Sequence, residues 1–464
     1  MSTVHDLAIL GGGSAGYATA LRAAQLGLSV VLVEDRELGG TCLHRGCIPT
    51  KAWLQAAKTR TVVAKAPSMG IGASLGEVDA SAVRGFADSL VAGLHRGLTG
   101  LVRSRGITVV PGRGRLLAGE GHPTLEVGDE RLEARQVVLA TGASPVTLDL
   151  PVDGERVLTS DHALRLDRLP ERAIVLGGGV IGVEFASLWC DLGVEVTLVE
   201  MAPRLLPAED PDLVAILERR LRARGVDLRL GTPAQSLERD GDRVRLTLPG
   251  EAVTADLALV AVGRRPNTGD LGLEAAGVAV SESGHVVVDR SLATTARGVF
   301  AAGDLVAGPQ LAHRGFAQGI FLAELVAHLA GRQARRPRPP EDQAMPRVTY
   351  ASPQLASVGL TREQAGDCEV ADFDLRGNAR ALMLSPGTRD VGLVRLVRRP
   401  GGPVVGVHAV GDDVGELIAE GTLLVGWEAT PEDLKDLIHP HPTLSEALAE
   451  ASLALTGAPL HSHA

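Results

Sequence analysis

Two cysteines, Cys42 and Cys47, stand close together in the segment GGTCLHRGCIPTK (39–51). The thiolate is both the nucleophile and the metal ligand of cysteine chemistry. Such a pair therefore suits thiol–disulfide exchange, a metal site, or merely two inert core thiols. On an ideal α-helix, residues five apart are separated by roughly 7.5 Å of rise and point about 140° apart, beyond the reach of a disulfide. Pairing needs a backbone break between them, which Gly39, Gly40 and Gly46 permit. Pro49 suits the first turn of a helix. That would put Cys47 at a helix N-terminus, where the dipole favours a thiolate. Cys190 and Cys368 are isolated, the first in a helical pattern and the second in a loop pattern, and both are expected to be structural.

Near the other end, LIHPHPTLSEALAE (437–450) gathers His439, His441 and Glu446. A residue before proline is held in extended backbone. A carboxylate five residues beyond His441, past a turn into a helix, can reach back to its imidazole. It would fix the tautomer and strengthen the ring as a base. A His–Glu pair of this kind is, taken alone, more often a surface hydrogen bond than a catalytic dyad. The two histidines also invite a metal, but no third ligand is apparent in the sequence.

Side chains of this sort need elements to aim them, and an internal repeat supplies those. Residues 11–34, GGGSAGYATALRAAQLGLSVVLVE, align without a gap with residues 177–200, GGGVIGVEFASLWCDLGVEVTLVE. Each copy follows an apolar strand (LAIL, AIVL), runs through a helix pattern, and ends on a β-branched strand closing with an acid. Gly11, Gly13 and Gly16 form one GxGxxG, and Gly177, Gly179 and Gly182 the other. In such a turn the first glycine makes the bend. The second admits a pyrophosphate, and the third lets helix and strand pack closely. The helix N-terminus faces the phosphates, and Glu34 or Glu200 can accept from the ribose hydroxyls. Two copies in register imply two dinucleotide sites. An acid at Glu200 favours NAD, since NADP sites use arginine for the 2′-phosphate; nearby Arg204 reads as a solvated loop charge. Beside an FAD-type fingerprint, with no second Cys/His cluster of matching spacing, the redox reading of Cys42 and Cys47 outweighs the metal and inert readings.

Three further strands, RLEARQVVLATGASP (131–145), DLALVAVGRRPNT (256–268) and GVFAAGDL (298–305), each end in small residues, and the last delivers Asp304. The Pro- and Arg-rich stretch 331–344 reads as an inter-domain linker. Beyond it, strand-like runs precede a helical C-terminus, as in a separate α+β domain. A length of 464 residues implies two to four domains. The balance of 46 basic and 56 acidic residues, net −10, argues against nucleic acid or an anionic membrane as the main partner. No run of about 18 apolar residues is present, and MSTVHDLAIL reads as a first strand rather than a signal peptide. Four cysteines in this pattern make no secreted disulfide framework, so a cytoplasmic location is expected. The chain has only four lysines, and one of them, Lys51, lies four residues after Cys47.

Over essentially its whole length the chain resembles the class I pyridine nucleotide–disulfide oxidoreductases, and among them the dihydrolipoyl dehydrogenase family. The resemblance rests on GGGSAGY, TCLHRGCIPTK, ATG (140–142), GGGVIGVE, GRRPN (263–267), AAGD (301–304), LAH (311–313) and HPTLSE (441–446). It implies an α/β fold with two Rossmann-like domains, for FAD (1–150 and 273–340) and NAD (151–272), plus a C-terminal α+β dimerisation domain (345–464). Gly11, Gly13, Gly16 and Glu34 would then hold FAD, with Asp304 on the ribityl chain, Ala312 against the flavin and Gly119 on the adenosine side. Thr141 and Gly142 join the cofactor-binding residues. Gly177, Gly179, Val180, Gly182, Glu200 and Gly263 would form the NAD site. Lys51 and Glu184 match an ion pair beside the flavin N5. Cys42 matches the cysteine that meets substrate, and Cys47 the one that interacts with the flavin. His441, assisted by Glu446, matches an acid–base acting on the other subunit, so the resemblance implies a homodimer. The implied partners are lipoyl domains of 2-oxo acid dehydrogenase or glycine-cleavage complexes, with no metal, nucleic acid or membrane. The alternative is a reductase of another small disulfide of mycothiol or glutathione type, although a glutathione reductase would be expected to carry arginine in place of Glu200. One departure is His439-Pro440-His441-Pro442, where the family often reads His-Ala-His-Pro. The closing GAPLHSHA has no counterpart role, and a solvated tail is expected.

Overall fold

The computed structural model describes residues 4–119 and 121–461. The chain forms two compact units: Met1–Thr50 with Gly85–Val146 and Arg264–Asp342, and Lys51–Arg84 with Thr147–Gly263 and Gln343–Ala464. Residues 151–263 of the segment expected to bind NAD share the second unit with the segment expected to form the interface, and that unit also takes in residues 51–84; residues 264–272 fall in the first unit.

In the first unit a parallel sheet runs in the order Thr108–Pro111, Val30–Glu34, His5–Leu10, Glu130–Leu139. It then continues antiparallel through Thr124–Val127 to Gly114–Leu116, and Val299–Ala301 pairs with the far end of Glu130–Leu139. The central strands His5–Leu10 and Val30–Glu34 are largely apolar because both faces are covered. Leu7, Ile9, Leu32 and Val138 bury on one face, and Ala8, Leu10, Val31, Val33, Val137 and Leu139 on the other. That alternation follows the two-residue period of a strand. Leu10 and Ala301 both stand in register with Leu139. The three chains that follow, at Gly11, Ala140 and Ala302, therefore leave the sheet at one carboxyl edge, where open α/β sheets bind ligands.

The second unit repeats the plan. Its parallel sheet runs Asp227–Arg229, Glu195–Val199, Arg172–Leu176, Leu257–Val260, Val157–Leu158. A three-stranded antiparallel ribbon (Ser236–Asp240, Arg243–Leu248, Glu251–Ala255) follows. A five-stranded antiparallel sheet runs Arg347–Thr349, Gln354–Gly359, Val404–Gly411, Gly392–Arg398, Glu369–Asp374, and the helices Ile418–Gly426, Pro431–Lys435 and Glu446–Leu455 pack with it. The ribbon, like the long helix Ala80–Ser104, is a feature that the reading of motifs did not locate.

Within this unit a buried ionic cluster ties the antiparallel sheet to the parallel half. Arg395 Nη1 donates to Asp210 Oδ1 and Oδ2 at 2.9 and 3.0 Å, and to Asp212 at 2.9 Å. Its other nitrogens donate to Asp372 at 2.7 Å. Removing one member of a buried pair leaves the other charge desolvated and unmatched. Arg395→Ala is expected to cost about 3–5 kcal/mol of stability, read from urea unfolding. A loss below about 1 kcal/mol would show that Asp210 finds another partner.

No helix among the described residues is long and apolar enough to cross a membrane. Among the same residues no group of three or more His, Cys, Asp or Glu could hold a metal ion.

Candidate active site

The two glycine turns have the same construction. Gly11 has φ 104°, and a Cβ there would lie 2.4 Å from the Ala140 carbonyl oxygen; one on Gly16 would lie 1.7 Å from the Gly11 oxygen. In the second copy Gly177 has φ 111°, with Ala261 O at 2.4 Å, and a Cβ on Gly182 would meet Gly177 O at 1.9 Å. The middle positions are open instead: Gly13 meets only Gly40 Cα at 3.9 Å, and Gly179 nothing within 4 Å. The helices Ser14–Gln25 and Val180–Asp191 begin on these middle glycines as N-caps, with no side-chain cap, so no side chain takes up their first N–H groups. This is the shape a dinucleotide pyrophosphate requires, and the residues fit FAD and NAD.

The acids complete each turn. Glu34 accepts from Gly12 N (2.5 Å) and Arg36 N (2.9 Å), and Glu200 from Gly178 N (2.6 Å) and Ala202 N (2.7 Å). One carboxylate oxygen in each pair clamps the glycine loop while the remaining lone pairs can accept from a ribose. Burial pushes the Glu34 carboxyl up, against the pull of its two amide donors. Arg204 donates to Pro207 O at 2.9 Å, so it serves its own loop. The repeat also extends further than residues 11–34 and 177–200. Ala140–Thr141–Gly142 and Ala261–Val262–Gly263 occupy matching places, each alanine carbonyl backing the first glycine of its turn.

In the first unit, Thr141 Oγ1 donates to Asn267 O (2.8 Å), and Asn267 returns bonds to Thr141 O (2.9 Å) and Gly142 O (2.9 Å). Asn267 is a site-forming residue that the GRRPN motif signalled but the sequence reading did not single out. Asp304 lies in the turn Gly303–Leu305, pinned by Gln318 Oε1 on Gly303 N at 2.8 Å. Burial raises its carboxyl, opposed by the charges of Arg264 and Arg314. Ala312 opens the helix Ala312–Leu329. Gly119 lies exposed in the loop after Gly114–Leu116.

The cysteine segment sits directly on the first cradle. Gly39 N donates to Gly12 O at 2.9 Å, and a Cβ on Gly40 would approach Gly13 Cα to 2.6 Å. Gly39 and Gly40 both have positive φ, 110° and 58°. A five-residue helix, Gly40–His44, carries Cys42. The chain breaks at Arg45–Gly46, and the helix Cys47–Lys65 begins on Cys47 itself, as the spacing argument required. Tyr17, which the sequence reading passed over, flanks both thiols. Its phenol is pushed up to about 12 by burial and then by the charges of Cys42 and Cys47. Its ring packs on Phe316 with centroids 5.5 Å apart. Cys190 is different: its Sγ donates to Arg224 O at 3.3 Å, and burial raises its thiol, the setting of an inert cysteine.

In the second unit Lys51 Nζ bonds both oxygens of Glu184, at 2.9 and 2.8 Å, and Glu184 is only 3% exposed. Val180, at the first helical position after Gly179, is 45% exposed. His441 Nδ1 meets Glu446 Oε1 at 2.8 Å, and Thr443 N donates to Glu446 Oε2 at 2.8 Å. Burial would raise the Glu446 carboxyl, but the Thr443 amide, the His441 hydrogen bond and the nearby imidazoles hold it below the ordinary range. With Nδ1 engaged, Nε2 is the nitrogen left to exchange protons; the His441 side chain is 75% exposed. His439 instead pairs with Glu420 at 2.8 Å, so each histidine has its own carboxylate. Exposed apolar side chains lead into this loop, Leu437 and Ile438, the last 92% exposed, and others, Leu423 and Trp427, stand in and just after the helix whose Glu420 holds His439. The tail is not wholly solvated. His461 N and Nδ1 both engage the buried Glu450, at 3.0 and 2.7 Å; His463 lies outside the described residues.

A family profile described as pyridine nucleotide-disulphide oxidoreductase matches residues 5–319. The chain belongs to that family. Its dimerisation-domain profile matches residues 345–452. The chain is therefore a disulfide oxidoreductase, an enzyme that works with FAD and NAD, and it carries a dimerisation domain. This oxidoreductase is 38% identical to a dihydrolipoyl dehydrogenase of Bacillus subtilis, over 99% of this chain and 100% of the relative. Among solved structures, LpdA of Mycobacterium tuberculosis superposes with a TM-score of 0.89 at 32% identity, covering 97% of this chain and 99% of that one. The HOCl-induced flavoprotein disulfide reductase RclA of Escherichia coli superposes with a TM-score of 0.84 at 27% identity, covering 96% and 99%.

Proposed function

We propose that this protein is a cytoplasmic dihydrolipoyl dehydrogenase. It oxidises protein-bound dihydrolipoamide to lipoamide with NAD as acceptor, and it works as a homodimer. The observation that carries the reading is the cysteine pair, broken between two helices and locked by Gly39 and Gly40 onto the first dinucleotide cradle. Relatives named dihydrolipoyl dehydrogenase over their full length support the choice of substrate.

In the oxidised state Cys42 and Cys47 form a disulfide. One thiolate of the dihydrolipoyl group attacks Cys42 Sγ, the Cys42–Cys47 bond breaks, and Cys47 leaves as a thiolate stabilised at its helix N-terminus. His441 takes the proton from the second substrate thiol. That sulfur attacks the mixed disulfide, closes lipoamide and releases Cys42. Two electrons have then passed to the cysteine pair. Bound FAD supplies the two-electron relay from thiolate to NAD. Gly11, Gly13, Gly16, Glu34, Thr141, Gly142, Asp304 and Ala312 would hold FAD, with Gly119 contributing backbone. Gly177, Gly179, Val180, Gly182, Glu200 and Gly263 would hold NAD, and Lys51 with Glu184 would lie where hydride leaves. His441 of one subunit serves the cysteines of the other. The apolar side chains leading into its loop suit a face covered by a second copy. Lipoyl domains of a 2-oxo acid dehydrogenase or glycine-cleavage complex are the protein substrates.

Anaerobic titration with dihydrolipoamide is the test. It should give a long-wavelength thiolate–flavin band and then NAD reduction. With NADH as donor, lipoamide should turn over at least about tenfold faster than mycothiol or glutathione disulfide, a difference of about 1.4 kcal/mol in transition-state binding. Preference for either thiol disulfide would reassign the substrate.

A further inference from the structure

The Lys51–Glu184 pair is not held by its own two side chains alone. Tyr350, from the loop between the strands Arg347–Thr349 and Gln354–Gly359, donates its backbone N–H to Glu184 Oε1 at 2.9 Å. The Lys51 ammonium stands over the Tyr350 ring, 4.7 Å from its centroid. The same loop is riveted to the helix that carries Glu184. Ser352 N donates to Ser187 Oγ at 2.9 Å. Arg224 donates to Ser352 O, and at 3.0 Å to Ser187 O, while an ion pair to Asp191 at 2.5 Å fixes Arg224 itself. Lys51 is thus gripped on two sides, by a buried carboxylate and by an aromatic face.

We propose that Tyr350 is a positioning residue for hydride transfer: the interface domain, through the ring of Tyr350, sets where the Lys51 ammonium sits. A lysine has four rotatable carbons and would sample several positions on a single carboxylate. A ring face within about 6 Å supplies a second, directional attraction. Tyr350 acts on the reaction only through Lys51 and Glu184.

The proposal rests on the reading that Lys51 lies where hydride leaves. The experiment separates the two half-reactions in the holoenzyme: reduction by dihydrolipoamide, and reoxidation of the reduced enzyme by NAD. It adds the reduction potential of the bound flavin as a readout independent of turnover. Tyr350→Leu should slow reoxidation by NAD roughly 3- to 30-fold, shift the flavin potential, and leave reduction by dithiol within about twofold. Tyr350→Phe, which keeps the ring, should restore both. Phenylalanines of increasing fluorine content at position 350 keep the shape while weakening the ring face, so reoxidation should slow stepwise with each fluorine even if the leucine variant folds poorly. Reoxidation rates and potentials that ignore fluorination would overturn the proposal. So would a Phe variant as slow as the Leu variant. A Lys51→Met enzyme that is reoxidised by NAD at the wild-type rate would instead remove the underlying reading of Lys51.

Discussion

Cys47→Ser is expected to abolish lipoamide-dependent NADH formation, with a fall of at least about a thousandfold, because serine can neither form the disulfide nor receive its electrons. Cys47 opens the helix Cys47–Lys65, so the expected thiolate sits on the positive end of that helix. Cys42→Ser should be equally dead in turnover, yet it leaves Cys47 as an unpaired thiolate and should therefore show the long-wavelength band before any dithiol is added. The two variants thus assign the exchange and flavin-side roles separately. Cys190→Ser is the control. Its thiol is raised by burial and bonded to Arg224 O, and its replacement should leave turnover near that of the parent. A Cys47→Ser enzyme within tenfold of the parent rate would remove the pair from the mechanism.

The second large effect is expected at His441. Replacing it by glutamine should lower the dihydrolipoamide half-reaction by about 10²–10⁴-fold, the usual scale of general-base loss. Reoxidation by NAD, which needs no such base, should be nearly unchanged. Unchanged dithiol kinetics would show that the proton leaves by another route. Glu446→Gln should cost less, since it keeps a hydrogen-bonding group at Nδ1 but loses the charge that stabilises the protonated imidazole. The pH dependence has a definite sign. The Glu446 carboxyl is held below its ordinary range, with burial opposed by the Thr443 amide and the His441 hydrogen bond. A depressed carboxylate adds stability that is fully present above its unfolded pKa of about 4.3. That stability is lost as the pH falls through the lower folded value. The anchoring of His441 by Glu446 should therefore persist throughout the neutral range and fail only in acid.

Much of the site was legible because its chemistry is local in sequence. The glycine turns are written in short motifs whose residues do their work on one another, as Gly11 and Gly16 do through a contact that leaves no room for a side chain. The same is true of Cys47 at its helix start and of Glu446 five residues from His441. Tyr17, Asn267 and Tyr350 were not legible in this way. Each acts on a site residue through a contact that its own neighbours in sequence do not announce. Tyr17 reaches thiols more than twenty positions away, and Asn267 bonds Thr141 across 126 positions.

The division follows from the range of the forces involved. Turn sterics, helix dipoles and strand alternation act over a few residues, so the sequence alone determined two glycine cradles, a close cysteine pair with a break between its members and a histidine with a carboxylate in reach. Burial and long-range hydrogen bonding depend on which strands become neighbours. Only the tertiary structure could decide that the cysteine segment docks on Gly12 and Gly13, that each of the two histidines takes a separate carboxylate, and that the still exposed His461 bonds buried Glu450. Lys51 shows both levels at once. Its place four residues after Cys47 is a matter of spacing, whereas its grip between Glu184 and Tyr350 exists only because residues 133 and 299 positions further along the chain pack together.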